Sequence, residues 1–382
     1  VRVNNAFVWF YAWALGDPKK STVRITAPNG LEVDIQGYYM TQETAEDGHR
    51  MWVAEDIPDP HTWSVSVEGW SDGRLASASV DVGANHVSVR YWPGDTEWRD
   101  EVIDTVERAL PELTGIVGLP FPVEDQLVIR ETILPNVYGY GGWYLVADDD
   151  IEIGEYVDEG LVIHEISHAW FNRQLFDSRW INEGLAEAVS AMVLREEFSE
   201  ATFPRYTGPD AEGFQKLNRW TTSNGSAADA DEKERYGYNA SWHVVDELIT
   251  EMGPSGLREV LAAAANDEIA YVGAGAAESV DERDDWKRFL DLVEERGGAT
   301  SAPDLFTEYV IIEVQAELMA ERSEARDAYA ALVERRPGWA PSLFIREPLS
   351  DWEFAVALDR IDSAGDVLDA VEALEAHAAE SG

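Results

Sequence analysis

The pattern of apolar and polar positions changes twice along the chain. Over residues 1–93 it alternates in short runs: Ser21–Ala27 (STVRITA), Trp63–Val67 (WSVSV), Ala76–Val82 and His86–Tyr91 (HVSVRY). Alternation sends successive side chains to opposite faces. The runs are separated by Pro28-Asn29-Gly30, Ser71-Asp72-Gly73 and Trp92-Pro93-Gly94, so strands joined by turns are predicted. Strands at this spacing suggest a β-sandwich-like domain. The apolar run Ala6–Leu15 reads as a buried strand or strand pair within it, about half the length of a membrane span.

After Pro93-Gly94 the period becomes helical, with Val102, Val106, Leu110 and Leu113 on one face of Trp98–Val117. Strand-like Leu127–Thr132, Tyr138–Gly142, Trp143–Ala147 and Ile151–Ile153 follow, then a helical stretch from near Val157. This mixture predicts an α+β domain over residues 94–270. Residues 271–382 read as a C-terminal α-helical domain. Val310, Ile311, Val314 and Leu318 share one stripe there and Val367, Val371 and Leu374 another, with Arg335-Arg336-Pro337-Gly338 as a break between them. The expected fold class is α+β and multidomain.

Composition narrows the function. The 382 residues are 45% hydrophobic and include 15 Trp, so wholesale disorder is excluded despite the charge. Asp and Glu number 74 against 29 Lys and Arg, a net charge of −45 that repels phosphate backbones and argues against nucleic acid as a partner. Lys contributes only Lys19, Lys20, Lys216, Lys233 and Lys287. Two readings fit that acidic, Lys-poor balance: adaptation to salt, and a GC-rich genome. There is no Cys, which removes disulfides, thiolate nucleophiles and Cys-bound metal. No apolar run reaches the roughly 18 residues of a membrane span. The sequence starts at Val1, so the compartment stays open between a cytoplasmic placement and an extracytoplasmic or tethered one through a segment not included. Oligomeric state is not legible.

One segment carries chemistry: His164-Glu165-Ile166-Ser167-His168, in the apolar setting Leu161–Phe171. Two His at i and i+4 on a helix project from one face, where both can bind one zinc, and Glu165 lies one step round. A catalytic zinc takes a third protein ligand and keeps one position open. Trp180-Ile181-Asn182-Glu183-Gly184-Leu185-Ala186-Glu187 offers carboxylates at a second helical start.

HEISHAWF followed by WINEGLAEA resembles the gluzincin zinc metallopeptidases, the family of aminopeptidase N and leukotriene hydrolase. The resemblance implies a thermolysin-like catalytic domain, one zinc ion, and His164, His168 and Glu183 as its ligands. Family members carry a longer connector than the 14 residues between His168 and Glu183, and counting theirs out selects Glu187. The local motif favours Glu183. Glu187, one turn on, then suits the acceptor of the other ring N–H of His164. Peptide-bond hydrolysis is implied, by a metal-activated water with Glu165 as general base. Arg235-Tyr236-Gly237-Tyr238-Asn239-Ala240 resembles the segment that supplies the family's oxyanion-stabilising Tyr; superimposing the Ala selects Tyr236, with Tyr238 as the alternative. The family's amine-anchoring Glu is missing from Val137–Gly142 (VYGYGG). Gly141, Gly142 and Trp143 are the candidate substrate-binding residues, at the start of an edge strand on which a peptide could lie. Asp148, Asp149 and Asp150 offer a replacement anchor, although a solvated acidic turn also accounts for them. The implied activity is aminopeptidase-like on peptide or protein substrates. The alternatives are an endopeptidase, a non-peptidase hydrolase on the same scaffold, and a binding or scaffold protein retaining a zinc site.

Overall fold

Period-2 alternation survives directly in the backbone. β8 (Ala76–Val82) and β9 (Asn85–Tyr91) pair antiparallel through a two-residue turn opened by Gly83 at φ +62°. That left-handed conformation is readily reached only without a Cβ. The computed structural model describes residues 2–3, 6–45, 47–133, 140–205, 207–221, 229–279 and 285–381. They divide into two compact units, Val1–Glu107 with Asp125–Asp158, and Arg108–Glu124 with Glu159–Gly382.

The first unit contains three sheets. β1 (Arg2–Val3), β2 (Phe7–Trp13), β7 (Ser64–Trp70) and β4 (Glu32–Gly37) lie side by side, all antiparallel. β3 (Val23–Ala27), β6 (Arg50–Ala54) and β5 (Thr41–Thr44) form a second antiparallel sheet. Between them Ile25, Met40, Trp52, Ile57, Trp63, Val65 and Val67 form one buried cluster, with Phe10, Val33 and Ile35 packed against it. Trp52 and Trp63 are thus sandwich core, whereas Trp13 is 64% exposed.

The third sheet has the order β11 (Gly142–Leu145), β12 (Asp150–Ile153), β10 (Leu127–Glu131), β9, β8. β9, β10 and β12 run parallel and the outer strands antiparallel. Strands 76–82 and 85–91 therefore join this mixed sheet rather than the sandwich with which their spacing groups them. Register aligns Val87 and Val89 with Leu127 and Ile129, and Ile129 with Ile151. All five are at most 1% exposed. The opposite face is polar, with Arg130 Nη2 at 2.6 Å from Asp150 on the neighbouring strand.

The same register places Glu131 beside Ile153, on the buried face. Its Oε2 accepts from the Trp92 backbone N–H at 2.8 Å. Burial pushes its carboxyl up to about 8; the Trp92 N–H opposes this, and Asp95 and Glu155 add to it. A raised carboxyl binds its proton more tightly in the folded state than in the unfolded chain, so stability falls as pH rises from about 4.5 to about 8. Glu131→Gln is expected to gain roughly 2–4 kcal/mol over the wild type at pH 8 and to flatten that slope. Urea titrations at pH 5 and 8 check this, and an unchanged slope contradicts it.

α1 (Thr96–Val117) is divided between the two units at Glu107 and Arg108. The second unit is otherwise helical: α2 (Glu159–Ser167), α3 (Arg179–Glu197), α4 (Ala230–Ala265), α5 (Trp286–Glu295), α6 (Ala302–Leu305), α7 (Ala316–Glu334), α8 (Leu343–Ser350) and α9 (Phe354–Ser381). α4 is kinked at Gly253, where φ is +68°. Trp180 packs edge-on against Phe289 and Phe306, with ring centroids 5.8 and 5.5 Å away. A buried Asp291 ties the carboxy-terminal helices by accepting from Arg322, Tyr271 (3.0 Å) and Trp352 (2.8 Å).

Two helical expectations need correction. Val310, Ile311, Val314 and Leu318 do not share a stripe, because the backbone turns extended at Ile311 (ψ 140°) and Val314 is 81% exposed. Val367 and Leu374 are on α9 but 62% and 69% exposed; the residue of that helix buried near them is Leu368. Apolar spacing defined the helix there and misassigned its packed face. Tyr138 and Gly139 of the Tyr138–Gly142 run lie outside the described residues, and β11 begins at Gly142.

Candidate metal centre

α2 is short, and its hydrogen-bond ladder ends at Ser167. The chain then tightens: the His168, Ala169 and Trp170 N–H groups bond three residues back, to Glu165 (3.3 Å), Ile166 (3.0 Å) and Ser167 (3.1 Å). The two His of HEISH thus sit across a helix end rather than within one helix. Asn172 closes that end, its Nδ2 donating at 3.0 Å to both the His168 and Ala169 carbonyls, which a helix terminus otherwise leaves unsatisfied.

The tightening leaves the imidazoles together, with Nε2 of His164 3.1 Å from Nε2 of His168. His168 Nδ1 lies 2.8 Å from the Phe171 carbonyl. A carbonyl only accepts, so Nδ1 carries a proton, and in the neutral ring Nε2 is the nitrogen that presents its lone pair.

Each residue of the Trp-x-Asn-Glu-Gly segment has a task in posing Glu183. Trp180 anchors the start of α3 in the aromatic core and donates from Nε1 to Asn218 at 3.2 Å. Asn182 Nδ2 donates to the Phe176 carbonyl at 2.8 Å, fastening the helix to the preceding loop. Gly184 lets α3 and α4 meet, because a Cβ there would stand 2.6 Å from the Ser241 carbonyl oxygen. Glu183 then points at the imidazoles, with Oε2 3.5 Å from His164 Nε2 and 3.4 Å from His168 Nε2.

These three separations test the fit of a metal. Zinc with nitrogen and oxygen ligands at 2.0–2.1 Å and tetrahedral angles needs donors about 3.4 Å apart. The observed 3.1, 3.4 and 3.5 Å match that edge. Glu183 Oε2 is buried without a hydrogen-bond partner, which a metal would supply. Among the described residues, this is the one group of His, Asp and Glu whose donor atoms converge so. Glu187 does not join it. Its Oε1 is 3.7 Å from His164 Nδ1, on the far side of that ring and beyond hydrogen-bond length.

The electrostatics agree with a cation site. Burial opposes ionisation of Glu183, but His168 and His164 outweigh it and hold the carboxyl well below its ordinary range. Burial likewise works against charge on His164, and Glu187, Glu183 and Glu165 together overcome it and raise the ring. Glu165 is only 5% exposed; burial pushes its carboxyl up, against the pull of His164 and His168.

The remaining candidates are placed as follows. Tyr236 is 3% exposed, donates from its hydroxyl to the Thr207 carbonyl at 3.1 Å, and packs edge-on against Phe214. No hydrogen bond joins it to the three donors among the described residues. Tyr238 comes nearer in connectivity: its hydroxyl accepts from Arg179 at 3.2 Å, and Arg179 in turn meets Glu183. Gly141, Gly142 and Trp143 belong to the first unit, where β11 is an end strand of the described sheet and Trp143 is 39% exposed. The Phe171 carbonyl, Asn172 and Glu234 are not legible in the sequence. Arg179 leaves a faint signal, four residues before Glu183 on one helix.

No family model and no curated protein matches the chain. Similar solved structures include that of an M1 zinc metallopeptidase from Deinococcus radiodurans (17% identity, TM-score 0.40), which covers 76% of this chain. A mutant of the same enzyme bound to a Tyr-Ser-Ala substrate aligns at 16% identity and a TM-score of 0.42, again over 76% of this chain. This chain spans 63% of the length of each.

Proposed function

We propose that this chain is a zinc metallopeptidase of the gluzincin type, with one zinc ion held by His164, His168 and Glu183. The observation that carries the reading is the triangle of donor atoms at tetrahedral spacing, with the carboxylate of Glu165 buried in the same helix turn. A structural zinc site closes its fourth position and needs no neighbouring base. Three protein donors leave that position for solvent, which favours an enzyme over a scaffold.

When bound, zinc supplies a polarised carbonyl and a water acidic enough to attack near neutral pH. The chain's own groups do the rest. Glu165 takes the proton from the attacking water and returns it to the departing amide nitrogen, a task suited to a carboxylate whose pKa burial has raised. Phe171 holds the His168 tautomer, and Trp180, Asn182 and Gly184 fix the start of α3 so that Glu183 faces both rings. A tyrosine hydroxyl from the 236–238 segment donates to the oxyanion. The motif position supports Tyr236, and the contact with Arg179 supports Tyr238.

The substrates on this reading are peptides or proteins. The aminopeptidase-like assignment rests on the resemblance of HEISHAWF and WINEGLAEA, and the absent amine-anchoring Glu favours cleavage inside a chain. A mixed peptide library offered with free and with acetylated amino termini tests both points, with cleavage sites read by mass spectrometry. Hydrolysis that a chelator stops and zinc restores is expected. Cleavage of acetylated peptides identifies an endopeptidase, and cleavage of free termini alone an aminopeptidase. A zinc-replete protein that hydrolyses neither set contradicts the proposal.

A further inference from the structure

Glu183 has two carboxylate oxygens, and they face different partners. Oε2 faces the two imidazoles, whereas Oε1 lies 3.6 Å from Nε of Arg179, one helical turn earlier on α3. Arg179 is itself fixed on several sides. Its guanidinium forks onto Glu234, with Nη1 3.2 Å from Oε2 and Nη2 on Oε1. Its plane lies over Trp220, 4.0 Å from the ring centroid, and Nη2 donates to the Tyr238 hydroxyl. Trp220 Nε1 donates to Glu234 at 2.9 Å, which closes the assembly. Gly237 makes room for it, because a Cβ there would stand 2.1 Å from the indole.

We propose that Arg179 is a positioning residue for the metal centre: it holds the Oε1 edge of Glu183 so that Oε2 is presented to the cation. This rests on the zinc reading above. Glu234 cancels the guanidinium charge, so the arrangement orients the ligand without adding net repulsion toward a cation. A planar, bidentate, stacked cation suits that task, and an ammonium replaces it poorly. Groups that orient ligands from behind typically change metal affinity 10- to 100-fold when removed.

The test is the zinc dissociation constant of the full chain, measured by chelator competition and set beside the melting temperature. Arg179→Met and Glu234→Gln are both expected to weaken zinc by about tenfold or more, and Arg179→Lys to recover part of the loss. If Arg179 acts only through charge, Arg179→Met tightens zinc while Glu234→Gln weakens it, and the positioning role is overturned. If it merely fastens α3 to α4, melting temperatures fall with zinc affinity unchanged, and the role is overturned as well. Should Arg179→Met fail to fold, Arg179→Lys decides, since it keeps the charge and loses the planar fork: weakened zinc binding supports the positioning role, and wild-type affinity overturns it. A wild type that takes up no zinc refutes the metal centre itself; a wild type that binds one zinc no more tightly than both variants refutes only the role of Arg179.

Discussion

Glu165→Gln is expected to keep zinc affinity within about threefold of the wild type while lowering turnover by roughly 10²–10⁴, the usual contribution of a positioned general base. The substitution preserves shape and removes only the capacity to take up a proton. Glu165 is not among the three converging donors, so the metal should not notice the change. Its carboxyl is buried, and burial raises its pKa against the opposing pull of His164 and His168. Zinc content and single-turnover hydrolysis of one good library peptide check the two halves separately. Full turnover in Glu165→Gln would remove the base from the mechanism.

The second large effect separates two carboxylates four residues apart. Glu183→Ala is expected to weaken zinc by on the order of 10²–10³-fold, about a third of a binding free energy near 10 kcal/mol shared among three ligands. Glu187→Ala should cost much less, no more than the 10- to 100-fold of a group behind a ligand. The distances set this order. Glu183 Oε2 stands 3.4 and 3.5 Å from the two Nε2 atoms, whereas Glu187 approaches only Nδ1 of His164, at 3.7 Å. Chelator competition on both variants reads the difference. The reverse order would show that the longer connector count, which selects Glu187, was the better guide.

Much of the local structure was legible because it depends on periodicity. β3, β8, β9, β10 and α1 follow the apolar spacing to within a few residues. Sheet membership was not legible. β8 and β9 look like sandwich strands locally, and only β10, at Leu127–Glu131, decides which sheet they join. The carboxy-terminal stripes failed for a related reason. An Ala-rich helix shows several apolar faces, and tertiary contacts bury Leu368 while leaving Val367 and Leu374 exposed.

At the candidate site, motif residues were legible and their supports were not. His164, His168 and Glu183 could be named from HEISH and Trp-x-Asn-Glu-Gly, and their donor atoms converge. The Phe171 carbonyl that fixes His168 is backbone, and backbone acceptors leave no mark on a sequence. Glu234 reaches Arg179 across 55 residues of chain, a pairing that no local pattern encodes. Tyr236 shows the limit of motif position: the resemblance selects it, and its hydroxyl donates to the Thr207 carbonyl.

X-ray absorption at the zinc edge of the purified full chain tests the central claim most directly. One zinc per chain is expected, with two imidazole nitrogens and carboxylate and solvent oxygens at about 2.0–2.2 Å. A chain that holds no stoichiometric zinc after exposure to it, or one whose zinc shows no imidazole scattering, would contradict the account.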